Sequence, residues 1–257
     1  MRGVILYFSG TGNTKYVSQL LKQSFEKQGC EMLSYCMEDS FELAPDTYDF
    51  LVLGFPKYYE YPPLKFIEFV LNKVPMMSTQ TKTFIFCTQC GPTKVPAQKL
   101  TKILKQKNHT VELTSLFQLP NNFFLVKAFP PTPDLEIKIR HLNAKAKVEQ
   151  LVPTFLNQAQ HKESMGYVTD KFCEYFVAIY KHTIPRDVLK ISTTSACTLC
   201  GLCQKHCPVQ NIKMTEAGPK LNDQCMMCMR CLNHCPVNAF TYKGKTLPQY
   251  VNQKMKK

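Results

Sequence analysis

Val4–Thr14 reads VILYFSGTGNT. Val4–Phe8 is an apolar run, and Ser9-Gly10-Thr11-Gly12-Asn13-Thr14 is a turn of small and hydroxyl-bearing residues. Thr14–Lys27 follows, with Val17, Leu20, Leu21 and Phe25 at helical spacing. Strand, tight loop and helix in that order aim backbone N–H groups and a helix N-terminus at one point, where an anion is favoured. Gly10 and Gly12 allow close approach to the backbone, and the hydroxyls of Ser9, Thr11 and Thr14 add donors. The loop contains no lysine, so it is not a Walker A motif. Neutral donors suit a monoester phosphate such as that of FMN. The plain alternative is a strand-to-helix turn that happens to be rich in Gly and Thr.

Moving outward, the alternation continues. Cys30–Cys36, Phe50–Phe55, Thr83–Cys87 and Val111–Phe117 read as further strands, and Leu64–Leu71 and Pro96–Lys107 as helices between them. The almost fully apolar Phe50–Phe55 is what a strand buried on both faces requires. This pattern predicts an α/β fold, a doubly wound parallel five-stranded sheet of order 2-1-3-4-5. Phe129-Pro130-Pro131-Thr132-Pro133 breaks the chain, and Asp134–Gln158 reads as a helix. Tyr167–Tyr180 carries Val168, Phe172, Phe176 and Ile179 on one face. That face is expected to pack between two domains; the alternative is a helix lying on a membrane surface.

The chain has 13 cysteines, eight of them between Cys197 and Cys235. CTLCGLCQKHCPV, from Cys197, recurs as CMMCMRCLNHCPV, from Cys225. Each copy has the spacing C-x2-C-x2-C-x3-C-P. Three thiolates on so tight a loop wrap one four-iron cubane, and the fourth ligates the other. One cluster should therefore use Cys197, Cys200, Cys203 and Cys235, and the other Cys225, Cys228, Cys231 and Cys207. Structural zinc is the competing reading, but zinc ribbons use paired C-x-x-C knuckles rather than triplets followed by Cys-Pro. His206 and His234 are expected to stand beside the clusters without ligating. Cys87 and Cys90 form a C-x-x-C, read as one buried strand residue and one loop residue, with a redox-active dithiol as the alternative.

Residues 191–242 resemble the bacterial two-cluster ferredoxins, and residues 1–120 resemble the flavodoxins. The order of the two resembles a family of flavodoxin–ferredoxin fusion proteins widespread in anaerobes. The resemblance implies FMN bound by Ser9, Gly10, Thr11, Gly12, Asn13 and Thr14 at its phosphate. Two later loops, Phe55–Tyr61 and Thr88–Lys94, would hold its ring. Pro56, Lys57, Tyr58, Tyr59, Thr88, Gln89, Cys90 and Gly91 are the candidates there. Tyr58 or Tyr59 would stack on the flavin. Lys57 is read either as a cation near the ring or as a solvated loop lysine. The second loop lacks the acidic, aromatic character of many flavodoxins, and the chain has no Trp.

The formal charge is +13 over 257 residues. Two clusters and one FMN phosphate would reduce it to about +7. The remainder favours an acidic redox-protein partner; no nucleic-acid recognition motif accompanies it. No apolar run is long enough for a membrane span, and clustered cysteines point to a reducing, cytoplasmic setting. The expected organisation is an FMN domain over 1–160, a helical linker over 161–190, a small α+β ferredoxin domain over 191–245 and a basic tail over 246–257. Three functions compete. The chain is an electron carrier between proteins, a reductase whose small-molecule substrate sits over FMN under residues 119–135, or an iron–sulfur redox sensor. No dinucleotide fingerprint is present to support direct use of NAD(P)H.

Overall fold

The computed structural model of the chain describes residues 1–125, 129–159 and 161–252. The apolar runs form parallel strands β1 (Arg2–Tyr7), β2 (Glu31–Cys36), β3 (Phe50–Pro56), β4 (Thr81–Gln89) and β5 (His109–Gln118). Their order is β2-β1-β3-β4-β5, as expected, and a short sixth strand, β6 (His161–Lys162), adds to the edge of β5. Two residues leave no periodicity to read. β6 is held instead by Glu163, whose N–H bonds Thr114 O and whose carboxylate accepts from Leu116 N–H.

Side chains alternate across the sheet, as strand geometry requires. Val4, Leu6 and Phe8 enter one core, with α2 (Leu64–Lys73) and α3 (Gln98–Lys105). Ile5 and Tyr7 enter the other, with α1 (Asn13–Lys27) and α4 (Asp134–Leu156). Every residue of β3 is buried, because the strand is covered on both faces.

Helix α5 (Tyr167–Val188) overturns one expectation. Val168, Phe172, Phe176 and Ile179 are 80%, 61%, 39% and 45% exposed. The helix buries its other side: Cys173 and Val177 join the first core, and the Asp170 carboxylate accepts the backbone N–H of Gln98 at the start of α3. On the buried side the acid satisfies a helix-end donor, while the larger aromatic residues stay outside. Farther along, Val188 joins a third core. The segment expected to be a linker is thus built into both units. Among the described residues, no helix is long and apolar enough to cross a membrane.

The C-terminal unit contains β7 (Ile191–Thr193), α6 (Leu202–Lys205), the hairpin β8 (Ile212–Thr215) and β9 (Gly218–Leu221), α7 (Arg230–Asn233), β10 (Phe240–Tyr242) and β11 (Lys245–Thr246). The sequence repeat is also a backbone repeat. Leu199, Gly201 and Gln210 have φ of 54°, 74° and 51°; their counterparts Met227, Met229 and Asn238 have 55°, 60° and 47°. The third core, with Val188, Ile191, Met227, Met229, Leu232 and Phe240, receives Tyr59, Phe123 and Leu125 from the sheet unit. The two units therefore share packed apolar surface. The expected basic tail runs back over the sheet unit as far as Asn252; residues 253–257 lie outside the described residues.

Candidate functional site

At the carboxyl ends of β1, β3 and β4 lies a cavity of about 500 Å³. Its wall includes Ser9, Gly10, Thr11, Asn13 and Thr14, then Pro56, Lys57, Tyr58 and Tyr59, then Thr88, Gln89, Cys90 and Gly91. The three segments singled out in the sequence thus meet in one place. Gly12 is not on the wall; with φ of 100° it turns the chain into α1, which has no side-chain cap. The first N–H groups of α1 are therefore left for an incoming anion.

The loop hydroxyls are already oriented. Ser9 Oγ accepts from Gly12 N–H at 3.2 Å, and Thr11 Oγ1 accepts from Asn122 Nδ2 at 2.6 Å. A hydroxyl that accepts keeps its own proton to donate. Thr14 Oγ1 and Thr88 Oγ1 lie 2.8 Å apart, joining the phosphate loop to the end of β4. The Asn13 side chain is engaged elsewhere. Its amide donates to Pro120 O, and its Oδ1 accepts from Tyr250 and Asn252. Those bonds leave its backbone N–H as its contribution to an anion.

Lys57 lines the cavity but is held by its neighbours. Its side chain is buried, and its ammonium donates to Thr93 O, Thr93 Oγ1 and Lys94 O and pairs with Glu60 at 3.2 Å. It is neither solvated nor aimed as a free charge at a ring; it ties the two ring loops together. Tyr58 and Tyr61 exchange both backbone hydrogen bonds around Tyr59 and Glu60, which have φ of 52° and 60°. This is a type I′ turn carried by two non-glycine residues. The Tyr58 ring meets Phe8 edge-on, whereas Tyr59 reaches the third core. The Tyr58 hydroxyl is buried and has no hydrogen-bond partner among the described residues. Burial, then the neighbouring Cys228, pushes its pKa well above the usual phenol value. An uncapped helix start, hydroxyls with protons left to donate and a buried hydroxyl in want of a partner all fit a phosphate-bearing flavin.

The cysteines surround two smaller hollows. Cys197, Cys200, Cys203 and Cys235 line the first, which Cys231, His206 and His234 also border. Cys207, Cys225, Cys228 and Cys231 line the second. The fourth cysteine of each repeat faces the other repeat's hollow. Asn211 N–H donates to Cys207 Sγ at 3.2 Å, and Ala239 N–H donates to Cys235 Sγ at 3.3 Å, at matching repeat positions. Thiols ringing a hollow, with N–H donors on the sulfurs, fit a polynuclear cluster whose charge those donors stabilise.

Residues 189–236 match the family described as 4Fe-4S dicluster domain. The C-terminal unit is thus similar to the 4Fe-4S dicluster domains, and it follows the parallel sheet in the chain. Among solved structures, an archaeal flavodoxin is 14% identical, with a TM-score of 0.40, over 60% of this chain and 99% of that one. Flavodoxin 1 of Bacillus cereus is 18% identical, with a TM-score of 0.37, over 58% and 98%. The flavodoxin of Megasphaera elsdenii is 18% identical, with a TM-score of 0.35, over 57% and 98%. No curated protein matches the sequence.

Arg230 docks the C-terminal unit on the sheet. It stands where the first repeat has Leu202, and it borders both cysteine hollows. Its Nε donates to Gly10 O at 3.0 Å and its Nη2 to Ser9 O at 2.7 Å. Two further bonds, of 2.6 and 2.7 Å, grip Glu38 at the end of β2, and another reaches His206 O. Burial opposes its charge, but the bidentate carboxylate more than offsets this, so its pKa is raised. Alongside it, Cys228 lines both the second hollow and the large cavity. Arg230, Asn122 and the tail residues Tyr250 and Asn252 were missed from the sequence. The one available signal was the change from Leu202 to Arg230 within an otherwise faithful repeat.

Proposed function

We propose that the chain passes electrons between two four-iron clusters and FMN inside one molecule, with Cys228 at the junction. The carrying observation is that Cys228 belongs at once to the walls of a cysteine hollow and of the phosphate-loop cavity. When bound, FMN takes up one or two electrons and each cluster takes up one. The residues supply the positioning. Arg230 and the third core hold the second repeat against the phosphate loop, and Thr11, Thr14 and the α1 N-terminus receive the phosphate. The eight repeat cysteines are the proposed ligands. The redox partner is a protein, and the basic excess of the chain favours an acidic one.

A second reading is supported by the lining of the cavity. Asn121, Asn122, Phe123, Leu125 and Phe129 line it. A reductase with a small-molecule substrate beside the flavin would take its lid from this segment.

The test is metal and flavin analysis of anaerobically purified protein, followed by rapid mixing with a one-electron donor. The expected content is about eight iron and eight sulfide per chain, with one FMN. Clusters should reduce first, and the flavin should follow at a rate independent of protein concentration. Stoichiometric zinc without iron, or a concentration-dependent flavin phase, overturns the proposal. Turnover with a panel of small acceptors separates the reductase from the carrier.

A further inference from the structure

We infer that residues 249–252 are a strap through which cluster loading and FMN binding strengthen each other; this rests on the cofactor reading above. The strap begins on the C-terminal unit. Gln249 Nε2 donates to Leu232 O at 2.7 Å and to Cys235 O at 2.8 Å, beside a proposed cluster ligand. The Tyr250 N–H donates to Asn233 Oδ1 at 2.7 Å, on the helix that follows Cys228.

It ends on the phosphate loop. The Tyr250 hydroxyl donates to Asn13 Oδ1 at 3.0 Å. The Asn252 N–H donates to Thr11 O at 3.1 Å, and its side-chain amide reaches Asn13 Oδ1 at 3.4 Å and His141 Nε2 at 3.1 Å. Asn252 is 0% exposed, so this end is built into the protein interior. A second route runs in parallel: Asn233 Nδ2 donates to Asn122 O, and Asn122 Nδ2 donates to Thr11 Oγ1.

The physical consequence follows from the composition of the loop. A Gly- and Thr-rich loop has much conformational freedom to lose when its N–H groups converge on one phosphate. Anchoring Thr11 and Asn13 from outside removes part of that cost before the ligand arrives. The anchors themselves hang on α7 and on Cys235 O, which a cluster would hold in place. Whatever orders one end orders the other, and such coupling is reciprocal. Tyr250 and Asn252 are therefore positioning residues for the FMN site, although they are far from it in sequence.

The test compares FMN affinity of the chain with clusters loaded and after iron chelation, for wild type, Tyr250→Phe/Asn252→Ala and Gln249→Ala. Wild type should bind FMN more tightly when loaded, by about 5–150-fold, the usual range of coupling between sites. Both strap variants should lose most of that ratio while keeping wild-type iron and sulfide content. In the reverse direction, FMN should slow chelation of iron from wild type and not from the variants. Gln249 is exposed, so its substitution tests the strap without disturbing a core. Variants that keep the wild-type ratio overturn the strap alone. A wild-type chain that takes up no FMN overturns the cofactor reading and the strap together.

Discussion

The peptide of Cys228 lies against Gly10: a methyl group placed on Gly10 would stand 2.7 Å from the Cys228 carbonyl oxygen and 2.7 Å from the Tyr58 hydroxyl. The glycine expected to admit a ligand also admits the second cysteine loop. Gly10→Ala should push that loop away, costing about 1–3 kcal/mol of stability through overpacking. Rapid mixing should show an unchanged cluster phase and a slower flavin phase. An unchanged flavin phase would mean that this contact does not set the distance between the cofactors.

Cys207 sits in the first repeat but lines the second hollow, with Cys225, Cys228 and Cys231. Cys207→Ser should therefore damage the cluster of the second repeat and spare that of Cys197, Cys200 and Cys203. Reduced samples examined by EPR should lose one of two interacting signals. Variants at Cys200 and Cys228 give reference spectra for the loss of each cluster. A Cys207→Ser spectrum matching that of the Cys200 variant would reverse the ligand assignment.

The sheet order was legible because each strand is a local apolar run between turn residues, and the cysteine hollows were legible because ligand spacing is local. The docking of the two units was not. It depends on Arg230 meeting Ser9, Gly10 and Glu38 across the chain, and a single cation in a basic sequence carries no label for its partner. The face of α5 was misjudged for a related reason. Apolar periodicity favours Phe172 and Phe176, yet burial went to Asp170, Cys173 and Val177, with Asp170 bonded to the backbone N–H of Gln98, a partner that no local pattern announces. Asn13 followed the same logic: a loop residue in sequence, it is a buried junction for Pro120, Tyr250 and Asn252.

The C-x-x-C of Cys87 and Cys90 should not cycle as a dithiol. Cys87 is fully buried in β4, and burial, only partly offset by Lys57, pushes its thiol up to about 12. Cys90 is half-buried on the cavity wall, where Arg140 Nη1 donates to its sulfur at 3.4 Å. Alkylation at pH 8 under native conditions should label Cys90 far faster than Cys87, with peptide mass spectrometry as the readout. FMN should slow labelling of Cys90, since that residue shares the proposed ring site. Equal labelling of the two, or a recovered Cys87–Cys90 disulfide, would restore the redox alternative.

Glu163 should make the edge of the sheet acid-sensitive. Its carboxylate accepts from Leu116 N–H at 2.7 Å and Ser115 Oγ at 2.9 Å and pairs with Lys147 at 2.8 Å. Burial pulls its pKa upward, but the Lys147 bond and the two further donors outweigh that, leaving it below the usual 4.5. A carboxylate with a lowered folded-state pKa stabilises the fold above its unfolded value, and the contribution is lost as pH falls through the folded value. Glu163→Gln should therefore weaken local stability by about 1–3 kcal/mol at neutral pH, as expected for lost bonds to a charged group. Hydrogen exchange of the Leu116 amide should report it. The difference in protection between wild type and Glu163→Gln should be full at pH 7 and shrink below pH 4.5. A difference that stays constant into acid would mean that shape, and not charge, holds β6 to β5.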